Sequence, residues 1–221
     1  MASSNVDPKL PLTWKYFNVI APVLRHLLQK RYGYDLAKRA YDGARPIYRD
    51  YIDRAPRIGA GNPMANNLYM SDVFFAFYTA ADSDITPDMM RAVVRDLFDL
   101  AKKPLVKKAI DRSEGFRSAD YRKKLTAQLH ANKDWADARP AITDATWDFN
   151  FDDDRSGEAV AYHFTRCPIN DFCRQEGLMD ILPVMCEVDH LMMRLGHGRL
   201  TRNHTLAQDG PCCDYFIEPE D

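Results

Sequence analysis

Cysteine is missing from the first 166 residues of this chain, and all five cysteines fall after Arg166. That distribution argues against a disulfide scaffold spread over the molecule and for a thiol-lined site in the last third. No uninterrupted apolar run approaches the roughly 18 residues of a membrane-spanning helix. No excess of one charge exists either: the formal net charge is −2, without the basic face that nucleic acid requires. Residues 1–11 are polar, carry Pro8 and Pro11, and lack the apolar core of a secretion signal. They read as a loose N-terminus on a cytoplasmic protein whose thiols stay reduced. Also missing are a Gly-rich phosphate loop, a Gly-x-Ser-x-Gly elbow and a His-Glu-x-x-His pair. Without Cys-x-x-Cys or His-x-x-x-His spacing, a zinc site is weakly signalled, and neither metal nor cofactor is expected.

A chain of 221 residues is long enough for one compact unit with a sizeable core. It divides into a flexible start (1–12), a helical part (13–140) and an α+β part (141–221). Trp14, Phe17, Ile20, Leu24, Leu27 and Leu28 recur at helical spacing, with Thr13 as the cap and Pro22 as a kink or break. The pattern continues through 34–54, interrupted at Gly43 and Pro46. Residues 56–63 are rich in Pro and Gly and read as a loop. An apolar helix follows from Met64 to Ala81. Thr86 and Pro87 then start a helix that runs to about Lys103. Residues 104–138, rich in lysine and arginine, read as solvated helical faces.

After Pro140 the period changes from helical to alternating. Residues 146–152 and 159–166 read as a β-hairpin, with Asp153, Asp154, Ser156 and Gly157 in the turn. Helices return over 168–195, broken near Gly177 and restarted at Pro183. Residues 199–208 and 212–217 read as third and fourth strands. The expected fold class is therefore α+β: helices first, then a β-β-α-β-β unit with an antiparallel sheet.

Three stretches could carry chemistry. Cys186, Asp189 and His190 share one face of a helix, so a thiol, a carboxylate and an imidazole can point into one cavity. Cys167 ends a strand and precedes Pro168, where N–H groups of a helix start favour a thiolate or a substrate carboxylate. Arg166 offers a fork to that carboxylate. Cys213 and Asp214 point to opposite faces of a strand, so only one of them faces a given site. His204, beside Thr205 on the preceding strand, could meet Cys213 or Cys186. Asn67, near the start of an apolar helix, could orient a polar substrate or serve in capping. For each stretch the plain alternative is structural: buried cysteines packed as small hydrophobes and solvated polar neighbours.

The segments Thr165-Arg166-Cys167-Pro168, Cys186-x-x-Asp189, Thr205-Leu206-Ala207-x-x-Gly210 and Cys213-Asp214-x-Phe216 resemble the L-2-amino-thiazoline-4-carboxylic acid hydrolase family in order and spacing. Cys173, Cys212 and His190 are not part of that pattern. The resemblance implies a hydrolase that opens a small ring at a C–N bond of a cyclic amidine or amide acid. Such chemistry needs an attacking thiolate or water and an acid for the departing nitrogen. Cys167, Cys186 and Cys213 are candidate nucleophiles, with Cys186 and Asp189 placed first. Asp189 is a general base or the partner of a cationic amidine. Arg166, His204, Thr205, Asp214 and Asn67 are candidate substrate-binding residues. A metal-assisted hydrolase and a non-catalytic sensing domain with a thiol-lined pocket are the alternatives. The expected partner is a small molecule, not nucleic acid or membrane, and homo-oligomerisation is left open.

Overall fold

The computed structural model describes residues 10–59, 61–151 and 158–220. The first helix, α1 (Leu10–Tyr32), begins three residues before the expected cap at Thr13 and runs unbroken through Pro22. Likewise α2 (Tyr34–Arg54) continues through Gly43 and Pro46. A proline inside a helix costs about 3 kcal/mol. In α2 the buried side chains of Ala40, Ala44, Tyr48 and Tyr51 offset that cost, because they tie the helix to the core on both sides of Pro46. The break falls instead at Gly33, whose φ of 95° suits a residue without a Cβ.

Helix α3 (Ala65–Ala80) packs against both α1 and α2. Asn62, itself buried, accepts a hydrogen bond at Oδ1 from the Met64 N–H at 2.8 Å and so orders the turn that leads into it. Helix α4 (Pro87–Asp99) begins as its sequence dictates: Thr86 accepts from the Met89 N–H at 3.2 Å and Pro87 occupies the first turn. Helices α5 (Pro104–Asp111) and α6 (Ala119–Asp137) carry the charged stretch. Among the described residues no helix is long and apolar enough to cross a membrane.

The sheet has four antiparallel strands in the order β1-β2-β4-β3. They are β1 (Asp148–Asn150), β2 (Val160–Arg166), β3 (Gly198–Thr201) and β4 (Cys213–Pro219). Between β2 and β3 lie α7 (Pro168–Glu176) and α8 (Leu182–Leu195), separated at Gly177. The architecture is thus α+β, a helical N-terminal part followed by a small antiparallel sheet. The hairpin turn expected at 153–157 lies outside the described residues.

The third strand ends at Thr201, not at Gln208 as its alternation suggests. Two side chains account for this. Arg202 turns into the protein, and the Asp214 carboxylate binds the backbone N–H groups of Asn203 and His204, which ends their availability to a ladder. Alternation along β2 and β4 sends Val160, Tyr162, Phe164, Cys213, Tyr215 and Ile217 to the buried face. Cross-strand neighbours there include Phe164 with Cys213 and Tyr162 with Tyr215. The two tyrosine rings stack with centroids 4.6 Å apart.

Candidate functional site

Of the three candidate thiols, Cys186 lines a hollow, while Cys167 and Cys213 line neither of the two hollows that flank residues 203–210. Charge on Asp189 is felt by all three sulfurs, and Cys186 feels both other thiols. Cys186 and Asp189 stand on α8, Cys167 immediately precedes α7, and Cys213 opens β4. The short links at Cys167-Pro168 and after Leu195 fold these elements back on one another.

The thiols are protonated at rest. Burial pushes Cys167 up to about 12, against the pull of the N–H groups of Asn170 and Ile169. Burial raises Cys186 and Cys213 as well. The expected stabilisation of a thiolate at the start of α7 is therefore present but outweighed by desolvation. Cys213 has a structural bond of its own, accepting the Leu206 N–H at 3.2 Å.

The principal residue that the sequence leaves unmarked is Arg202. Its side chain is only 4% exposed, and Nη2 donates to Asp189 Oδ2 at 2.8 Å. Its guanidinium lies 4.1 Å from the centroid of the Tyr215 ring, and Nη1 reaches the Cys186 carbonyl at 3.4 Å. The Tyr215 hydroxyl donates to the same Asp189 oxygen at 2.8 Å. Burial, then Asp189, raises the Tyr215 phenol well above its ordinary value, so it remains a donor. Arg202 Nε is buried and has no partner among the described residues. Nothing periodic in Arg199-Leu200-Thr201-Arg202 predicts this burial; a long-range carboxylate and a ring decide it.

Two hollows flank the segment 203–210. The smaller, about 180 Å³, opens between α8 and this segment; Cys186, His190, Arg202, His204 and Thr205 line it. Burial, followed by the Arg202 charge, lowers the His190 pKa below its ordinary 6.5, so the imidazole is neutral near pH 7. His204 reaches the hollow from an irregular loop rather than from the expected strand. The larger hollow, about 560 Å³, lies on the other side, between the end of β2, the start of α7 and residues 206–210.

The remaining candidates sit apart. Arg166 lines the larger hollow, away from Cys186, and its Nε donates to the Thr146 carbonyl at 2.8 Å. Asp214 anchors the loop: burial alone would raise its pKa, but the N–H groups of His204 and Asn203 bring it below the ordinary value. Asn67 is exposed on the first turn of α3 and lines neither hollow. Met64 holds the N-cap position of that helix, without a side-chain cap bond, so Asn67 does not cap it. Gly210 has a steric reason to be glycine: a Cβ would stand 2.9 Å from the Thr205 carbonyl oxygen, which accepts the Gly210 N–H at 2.9 Å. Among the described residues no three His, Cys, Asp or Glu side chains are grouped to hold a metal ion.

This α+β arrangement of thiols, buried arginine and glycine-closed loop falls within a known family. The family model for L-2-amino-thiazoline-4-carboxylic acid hydrolase matches residues 66–217, from α3 to β4, and the chain belongs to that family. Comparison with curated proteins and with solved structures finds no match.

Proposed function

We propose that the chain is a hydrolase opening a small cyclic amidine or amide acid, of the 2-amino-thiazoline-4-carboxylate type named by its family, with Cys186 as the attacking group. The observation that supports this is the hollow in which a thiol, a neutral imidazole and a buried guanidinium face one space.

His190 follows Cys186 by one helical turn and receives the Sγ proton as sulfur adds to the ring carbon. The ring C–N bond breaks and the nitrogen takes that proton from His190. The opened molecule stays bonded to Cys186 through its former ring carbon. Water then adds to this carbon, His190 accepts a proton, the C–Sγ bond breaks and the proton returns to sulfur. The sum is substrate plus water. Arg202, whose Nε–H has no partner among the described residues, binds the substrate carboxylate. Asp189 already accepts from Arg202 and Tyr215, which suits a residue that positions Arg202 better than a general base.

A second reading, binding without turnover, draws on the raised thiols, which are weak nucleophiles until deprotonated. Incubation with five-membered amidines, imides and lactams, followed by mass spectrometry, separates the two. Hydrolysis adds the mass of water to at least one ring; binding alone stabilises the protein and leaves every ring intact.

A further inference from the structure

We propose that the larger hollow is a second binding site, for a small α-amino acid zwitterion, separate from the thiol hollow. It holds about 560 Å³, within the usual range for small-molecule sites. Its walls carry both signs of charge: Arg166 and Arg174 on one hand, Asp148, Asp171 and Asp209 on the other. Arg174 and Asp209 satisfy each other at 2.5 Å. Among the described residues Arg166 bonds only through Nε, to the Thr146 carbonyl, which leaves its terminal N–H groups for a carboxylate.

The observation that points to a ligand is Asn170. It lines the hollow, is 7% exposed, and its buried Oδ1 has no partner among the described residues. An orphaned acceptor of this kind costs about 1–3 kcal/mol. A ligand N–H would remove that cost. Asp171, exposed in the first turn of α7, adds a carboxylate beside it for an ammonium. A carboxylate for Arg166 and an N–H cation for Asn170 and Asp171 together describe an amino acid, better than an anion or a cation alone.

The inference stands on this cleft and not on the proposed reaction. It is tested by calorimetric titration of the full chain with L-serine, propionate and propylammonium. L-serine is expected to bind at least about ten-fold more tightly than either singly charged probe. Asp171→Asn, an exposed change that leaves the core alone, and Asn170→Leu are each expected to weaken serine by a similar factor. Alkylation of Cys186 with iodoacetamide should leave serine binding unchanged. No heat with serine, equal binding of the three probes, or an Asp171→Asn variant that binds as the wild type would overturn the proposal. Loss of serine binding on Cys186 alkylation would also overturn it, by placing the ligand in the thiol hollow.

Discussion

Arg202 and Asp189 meet at 2.8 Å in a pair of unequal burial, the arginine side chain 4% exposed and the aspartate 36%. Removing the arginine takes one donor from the Asp189 carboxylate, leaves it the Tyr215 hydroxyl, and strips the Tyr215 ring of its cation. Arg202→Leu is expected to destabilise the fold by about 2–3 kcal/mol, less than for a fully enclosed pair because water reaches Asp189. Urea unfolding measures this. Asp189→Asn keeps the shape and should cost less, while reducing turnover through a misplaced Arg202.

His190 sets the expected pH profile. With its pKa below 6.5, kcat/KM should fall only on the acid side of that value and stay level through neutrality. His190→Gln is expected to lose about a hundred- to thousand-fold in rate. What remains should climb with pH towards and beyond the ordinary thiol value of 9.0, because burial holds the Cys186 proton more tightly than that. A pH series of initial rates for both proteins checks the change of shape.

Asp72, on α3, is a carboxyl buried without a partner among the described residues. It is 0% exposed, and burial raises its pKa well above 3.8. The folded state therefore binds a proton that the unfolded chain releases near pH 4. Folding stability contributed by the neutral acid is lost as pH rises from there toward the folded pKa. Asp72→Asn removes that dependence. It should be more stable than the wild type at pH 8, with the gap closing toward pH 4, as thermal unfolding at several pH values would report.

Asp214 behaves with the opposite sign. Its pKa is lowered from 3.8 by backbone donors that outweigh burial, so its stabilisation is present at neutral pH and lost as pH falls below that value. Asp214→Ala is expected to cost about 1–2 kcal/mol and to free the amides of Asn203 and His204. Faster hydrogen exchange at those two residues, with weaker turnover because they wall the hollow, is the expected readout.

Local signals carried much of this fold. Thr86-Pro87 starts α4 because cap and fixed φ need no distant partner. Helical spacing put Cys186 and His190 on one face, and both line the hollow. Asp189, on that same face, is claimed by Arg202 and Tyr215, partners that no spacing rule reveals. Alternation likewise persists to Gln208, but the third strand ends at Thr201 because Asp214 takes the N–H groups a ladder would need. Proline at 22 and 46 suggests breaks that tertiary packing overrides. Asn170 and Asp72 sit in ordinary helical sequence, and only burial distinguishes them.

The most direct measurement is the turnover of Cys186→Ala on whichever small ring the wild-type protein opens. Loss of hydrolysis to the background rate, in a variant whose circular dichroism and unfolding midpoint match the wild type, is the predicted result. Hydrolysis at the wild-type rate would contradict a bond-forming role for this sulfur.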